Sequence, residues 1–380
     1  MSFLSSLQKQ IAAVIVPEAP LLTPTLPRLV AEPWYVDHVV VDDQGRVEIS
    51  GWAFPAPDLP AEEQAERFTL NGESPEIVEY PILRFDVAKV FWQRENAEKS
   101  GFKLTADARY PSGVMEIRFH DPSNTTAERG RESCFIPDPA LHLNLPDEHR
   151  RFRVIGNKDP VGFLSSGCTD AHRIVSAYEN ATGKSWHDAH AVLDWGVGCG
   201  RVARHLAPDL GTRFFGCDID ADNVAWCRAN LLGGGGYQPS LLEPPLPYAD
   251  NSFDVIYGVS VFTHLRANWE LRWLEELHRV LRPGGVVLMT VHGQTAIDFA
   301  GLTPEVYAAL QNRVEQEGLA VTSDNHQLDG FVEHPSEYVN VFHSKRHISS
   351  VWGRFFSKIT HLQGYIFTHD LIVATKAFRA

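Results

Sequence analysis

Cysteine is scarce in this chain. Only Cys134, Cys168, Cys199, Cys217 and Cys227 occur in 380 residues, an odd number without a C-x-x-C pair. That spacing supports neither a disulfide framework nor a zinc-finger type of site, and the expectation is buried, reduced thiols in a cytoplasmic protein. Long apolar runs are missing too. Nothing approaches the roughly 20 residues of a membrane span, so no membrane insertion is expected. The patch at 11–16 has Lys9 as its only nearby positive charge and no small-residue cleavage site, which argues against a signal peptide. Positive charge is in deficit. A net charge of −14 speaks against tight, non-specific binding to nucleic acid or to an anionic membrane surface. Along the chain no His, Asp and Glu cluster has metal-ligand spacing, and no metal is expected.

What is present suffices for two domains, each with its own core. Residues 1–33 read as an arm or linker. A short amphipathic helix at 1–10 precedes five prolines (Pro17, Pro20, Pro24, Pro27, Pro33), which favour an extended conformation. Residues 34–140 read as all-β. Alternation over 36–41, the turn Asp42-Asp43-Gln44-Gly45 and alternation over 47–51 predict a hairpin. Further strands are predicted at 67–70, 101–105 and 114–119, and together they suggest a small β-sandwich. Trp52, Phe54, Phe91 and Trp92 fit either a sugar-stacking platform or a core.

From 150 to 380, strand and helix signals alternate. Strand 191–194 ends at Asp194, and Gly196, Gly198 and Gly200 follow before a helical run. Glycine at alternate positions lets the backbone turn sharply and lets a ligand lie against bare amides. The next strand, 213–218, ends at Asp218, where a carboxylate can accept hydrogen bonds from both hydroxyls of a ribose. A dinucleotide fingerprint would read G-x-G-x-x-G; the G-x-G-x-G register here suits a nucleoside with a short amino-acid tail instead. Gly233–Gly236 read as a solvated loop. A strand at 253–257 precedes a helix with Trp269, Trp273, Leu274, Leu277 and Leu281 on one face, and Glu270, Glu275, Glu276 and Arg279 away from it. Arg282-Pro283-Gly284-Gly285 stops that helix before a fifth strand at 286–291. The alternation implies a doubly wound α/β fold with ligands at the carboxyl ends of a parallel sheet.

Four motifs carry a resemblance. Asp194-Trp195-Gly196-Val197-Gly198-Cys199-Gly200, Asp218-Ile219-Asp220, the run 246–254 and Leu281-Arg282-Pro283-Gly284-Gly285 resemble, in order and spacing, those of class I S-adenosylmethionine-dependent methyltransferases. The run 259–265, Val291-His292-Gly293 and Phe342-His343-Ser344 are similar to a bacterial subgroup, some of it associated with glycan or secondary-metabolite biosynthesis. The 34–140 segment loosely resembles β-modules of bacterial glycan-assembly enzymes. The resemblance implies a seven-stranded, mostly parallel, Rossmann-like sheet whose last strand is antiparallel. It places S-adenosylmethionine against Gly196, Gly198 and Gly200, with Asp194 at its amino group, Asp218 at its ribose and Ile219 on its adenine. Adenine otherwise has Glu243 as its nearest acidic candidate, and Arg201 is a candidate for the cofactor carboxylate.

Methyl transfer to a hydroxyl benefits from a base, and histidine is the usual one near neutral pH. His264 follows the fourth strand and His292 ends the fifth, so both are candidate catalytic residues; His343 and His369 are further candidates at the same rim. The reading is O-methylation of a small-molecule or glycan-linked acceptor. A catalytically idle cofactor- or glycan-binding protein and an NAD-dependent oxidoreductase are the alternatives.

Overall fold

Trp34–Val41 (β1) and Arg46–Ala53 (β2) pair antiparallel across the Asp42–Gly45 turn, where the Asp42 side chain accepts the Gln44 and Arg46 amides. The structure, a computed structural model, describes residues 34–56, 59–121, 131–141, 144–156, 158–231, 236–324 and 339–378. The expectations for 1–33 and for Gly233–Gly235 lie outside these residues.

Two antiparallel sheets follow from the alternation in the N-terminal part. Phe68–Leu70 (β3), Ile77–Ile82 (β4), Gly101–Asp107 (β5), Val114–Phe119 (β6) and Ser133–Pro137 (β7) arrange as β1-β2-β5-β4 and β3-β6-β7. Their inner faces share one core, in which Val47, Ile49 and Leu104 meet Phe68, Met115 and Ile117. This is a sandwich, and β4 and β7 are the strands the pattern had not announced.

Of the two readings of the aromatics, the structure supports the core. Trp52, Phe54 and Phe91 are fully buried, and Trp92 donates its indole N–H to the Leu302 carbonyl at 2.9 Å. Trp52 packs on Phe91 and on Phe299, at ring separations of 5.2 and 6.0 Å. Phe299 belongs to the C-terminal part, so a common aromatic core joins the sandwich to the rest of the chain.

The C-terminal part is built on Val192–Trp195 (β8), Phe214–Asp218 (β9), Gly236–Pro239 (β10), Phe253–Gly258 (β11) and Leu281–Val291 (β12). Leu319–Asp324 (β13) and Val339–His343 (β14) form a separate antiparallel pair, and Lys358–Ile366 (β15) and His369–Thr375 (β16) complete the main sheet. Its order is β10-β9-β8-β11-β12-β16-β15, with β16 antiparallel to both neighbours. The last strand thus runs as the resemblance implies. Gly236, expected in a loop, opens β10, and β12 begins five residues before the fifth strand was expected, with a register shift before Val255 absorbing the glycine pair.

Helices cover both faces. Pro160–Thr182 starts at Asp159, whose carboxylate accepts the Val161 and Gly162 amides, and ends at Gly183 in the left-handed region. Ala267–Val280 buries Trp269, Trp273, Leu274 and Leu277, as the periodicity predicts. Glu270 and Glu276 on the same helix are buried as well, because each meets a specific polar partner: Glu276 accepts the Leu246 amide at 2.7 Å, and Glu270 accepts the Trp352 indole N–H at 2.8 Å. Among the described residues no helix is long and apolar enough to cross a membrane.

Candidate active site

β8 ends at the centre of the sheet, where the chain reverses direction toward its first covering helix. Gly196 and Gly198 take φ of +86° and +52° there, a region that L side chains rarely adopt. A Cβ on Gly196 would lie 2.5 Å from the Val261 side chain, and one on Gly198 would lie 3.2 Å from Val154. The glycines therefore supply clearance. They do not supply bare amides: Gly196 and Val197 donate to the Cys217 carbonyl, Gly200 donates to Val197, and Gly198 donates to Asp218. The expectation of free amides is corrected on this point, because the tight turn satisfies its own donors.

Asp218, at the end of β9, accepts the Gly198 amide on Oδ2 at 2.7 Å and the Asp220 amide on Oδ1 at 2.8 Å. Burial pushes its carboxyl up to about 6, against the stabilising effect of the Gly198 amide. Asp220 caps the next helix, a role that leaves Asp218 facing the cleft. Asp194 lies beneath the loop. It accepts the Tyr257 hydroxyl at 2.7 Å, and burial pushes it up to about 7.

A cavity of about 180 Å³ opens over this turn, lined by Gly196, Gly198, Asp218, Ile219, Leu241 and Leu242 among others. Its outline suits a nucleoside: glycine clearance at one end, an accepting acid at the strand tip and apolar walls beyond it. Glu243 is not part of that wall. It is exposed and pairs with Arg272 at 3.1 Å, so the suggestion of an acidic adenine partner there is corrected. The helix Glu148–Ile155 lies across the turn, with Val154 over Gly198 and Arg153 ion-paired to Asp220.

A second cavity, of about 210 Å³, adjoins the first. Trp34 and Tyr35 of β1 line it together with Arg173, Arg201, His264 and His369. Arg201 was a candidate for the cofactor carboxylate, with an exposed first-turn position as the other reading. It is buried and paired with Asp170 at 2.6 Å, on the second cavity. Val154, Val259, Ser260 and His264 line both cavities and form their shared rim. Ser260 sits there with a φ of +60°, costly for a residue with a side chain. Its amide donates to Thr290 Oγ1 at 2.6 Å, which holds the turn.

The candidate histidines separate. His264 donates Nδ1–H to the Val339 carbonyl at 2.9 Å, so Nε2 carries the lone pair, 3.4 Å from Ser260 Oγ. Burial pushes His264 down to about 4, and it pushes His369 down to about 4 as well, so both are neutral near pH 7. His292 lines neither cavity. It is buried behind the rim, stacked on His369 at 5.0 Å, and burial holds it well below its ordinary value. His343 is buried beside Glu270, also away from both cavities. Ser260, Arg153, Arg173 and Tyr35 were not singled out from the sequence. Ser260 lies in the 259–265 run that was noted; the others reach the site through contacts invisible in local pattern.

Residues 193–289 match the methyltransferase domain family. A fatty-acid O-methyltransferase of Mycolicibacterium smegmatis is 30% identical over 135 residues, which is 34% of this chain and 48% of the relative. A probable S-adenosylmethionine-dependent methyltransferase of the same organism is 39% identical over 100 residues, 26% of this chain and 37% of the relative. Among solved structures, the Synechocystis magnesium protoporphyrin IX methyltransferase with bound SAH aligns at a TM-score of 0.38 and 14% identity, covering 60% of this chain and 93% of that one. The chain spans about half the length, or less, of these curated relatives. The match places a methyltransferase domain within the α/β part, over β8 to β12, and S-adenosylmethionine is the cofactor of class I methyltransferases.

Proposed function

We propose, from the premise that the α/β part is a methyltransferase domain, that this chain methylates an oxygen of a small-molecule or glycan-linked acceptor seated in the second cavity. When bound, S-adenosylmethionine supplies an electrophilic methyl group on a sulfonium. The residues of the chain do the rest. Asp218 would accept hydrogen bonds from the ribose hydroxyls, Ile219 would pack on the adenine, and Gly196 and Gly198 would leave room for the methionine tail, whereas Gly200 clears the packing of Leu231. Asp194 acts on the tail's amino group from beneath the turn. His264, its tautomer set by the Val339 carbonyl, takes the acceptor proton on Nε2. Val154 and Val259 line both cavities and give the shared rim apolar surface.

The observation that carries this reading is the shared rim: His264 lines both cavities where they meet, its Nε2 3.4 Å from Ser260 Oγ. That one curated relative is named a fatty-acid O-methyltransferase supports oxygen as the methylated atom. On this reading 34–140 is an accessory domain whose first strand walls the acceptor site, and 150–380 is the catalytic domain. The test is turnover of S-adenosylmethionine with a panel of hydroxylated lipids, sugars and carboxylic acids. Demethylated cofactor should form with at least one acceptor and fall sharply in His264→Ala. Binding without turnover over the whole panel would favour an idle cofactor-binding protein.

A further inference from the structure

Outside both cavities, Glu270, His343 and His347 meet in the core between the helix Ala267–Val280 and β14. Their ligand-capable atoms lie within 4.8 Å of one another. Glu270 and His343 are shielded completely, and the His347 side chain is 13% exposed, which leaves one narrow way in. His347 Nε2 is 2.7 Å from Glu270 Oε2. The Trp352 indole donates to Glu270 Oε1, which fixes the plane of the carboxylate.

His343 is the informative member. Among the described residues neither of its buried ring nitrogens finds a hydrogen-bond partner, although Nε2 lies 3.3 Å from Glu270 Oε1. A fully buried imidazole with two orphaned nitrogens is costly. The 3.3 Å separation lacks the alignment of a hydrogen bond, yet it equals the edge of a tetrahedron whose ligands stand about 2.0 Å from a central zinc ion. The pair His343-x-x-x-His347 has the H-x-x-x-H spacing of zinc ligands, which corrects the reading that no metal-ligand spacing occurs along the chain, and two imidazoles with one carboxylate suit a borderline-soft divalent ion.

We propose that Glu270, His343 and His347 bind a divalent transition-metal ion of the zinc type. The ion displaces the proton shared by His347 and Glu270 and engages His343 Nε2. It ties β14 and the turn after it to the helix Ala267–Val280, and through Val339 it supports the carbonyl that orients His264. Trp352 serves as the outer hydrogen-bond partner of the ligating carboxylate.

The test uses the full chain and needs no acceptor. Protein stripped with a chelator is titrated with Zn²⁺ and with Co²⁺, and metal content is read by mass spectrometry after gel filtration. The expected result is one equivalent per chain, a visible Co²⁺ absorption of tetrahedral type, and a higher melting temperature with Zn²⁺ than without. His347→Ala, which alters the most accessible ligand, should retain less than about a tenth of the metal, whereas His361→Ala, elsewhere on the sheet, should retain all of it. Failure of the unaltered chain to hold metal at micromolar free Zn²⁺ overturns the proposal, and so does His347→Ala binding as well as the unaltered chain. Because metal content is measured without S-adenosylmethionine, either result is independent of the methyltransferase reading.

Discussion

Gly198 donates its amide hydrogen to Asp218 at 2.7 Å, which makes the turn after β8 and the acid at the tip of β9 one hydrogen-bonded unit. The acid therefore depends on the turn for its orientation, and the turn depends on the acid for its fourth satisfied amide. Asp218→Ala should weaken binding of S-adenosylhomocysteine by about 10- to 100-fold, the loss expected for hydrogen bonds to a charged acceptor. Titration calorimetry of the variant checks it, with circular dichroism to show that the fold persists.

Asp218 also predicts how binding depends on pH. Burial raises its carboxyl to about 6, so in the cofactor-free protein it takes up a proton as pH falls through that value. A protonated carboxyl accepts hydrogen bonds from two hydroxyls less well than a carboxylate does. Affinity for S-adenosylhomocysteine should hold above about pH 7 and decline as pH drops through about 6, with proton release on binding near the midpoint. Calorimetry in two buffers of different ionisation enthalpy measures that proton.

His264 carries the proposed base. Its imidazole is held down to about 4, so it stays neutral as pH falls well below the range of an ordinary histidine. The acid limb set by this group should therefore lie near pH 4 in kcat rather than near 6.5. His264→Ala should lower kcat by about 10²- to 10⁴-fold with little change in cofactor affinity. An equal loss of cofactor binding would assign the residue to the pocket wall instead.

Trp52 predicts how the two parts of the chain hold together. It is fully buried against Phe91 of the sandwich part and Phe299 of the α/β part. Trp52→Ala should cost about 3–5 kcal/mol, the usual range for removing a large core aromatic. Denaturant unfolding should show the whole chain affected in one transition; a loss confined to a minor first transition would mean that the sandwich folds separately.

The sheet was legible because its signals are local. Glycines at alternate positions, the acids closing β8 and β9, and the apolar runs of β11 and β12 each occupy a few adjacent residues. Asp218, Gly196, Gly198 and Ile219 line one cavity, whereas Asp194 and Gly200 of the same motifs line neither. The rest depends on partners far apart in the chain. The amides of the glycine turn are consumed by Cys217 and Asp218, a contact across strands that spacing alone does not reveal. That Trp52 and Phe91 belong to a core was expected, but not that residues from beyond 290 complete it. Glu270 joins His343 and His347 across more than 70 residues, and its position off the apolar stripe of its helix concealed its burial. His292 ends the strand where expected, but the stacked His369 stands between it and the rim.

The account stands on the cleft between the turn after β8 and the tip of β9, and one calorimetric titration of the purified chain tests it most directly. S-adenosylhomocysteine should bind saturably, with one site per chain, whereas NADH at the same concentrations should give no heat of binding. No binding of S-adenosylhomocysteine, or a saturable isotherm with NADH in its place, would contradict it.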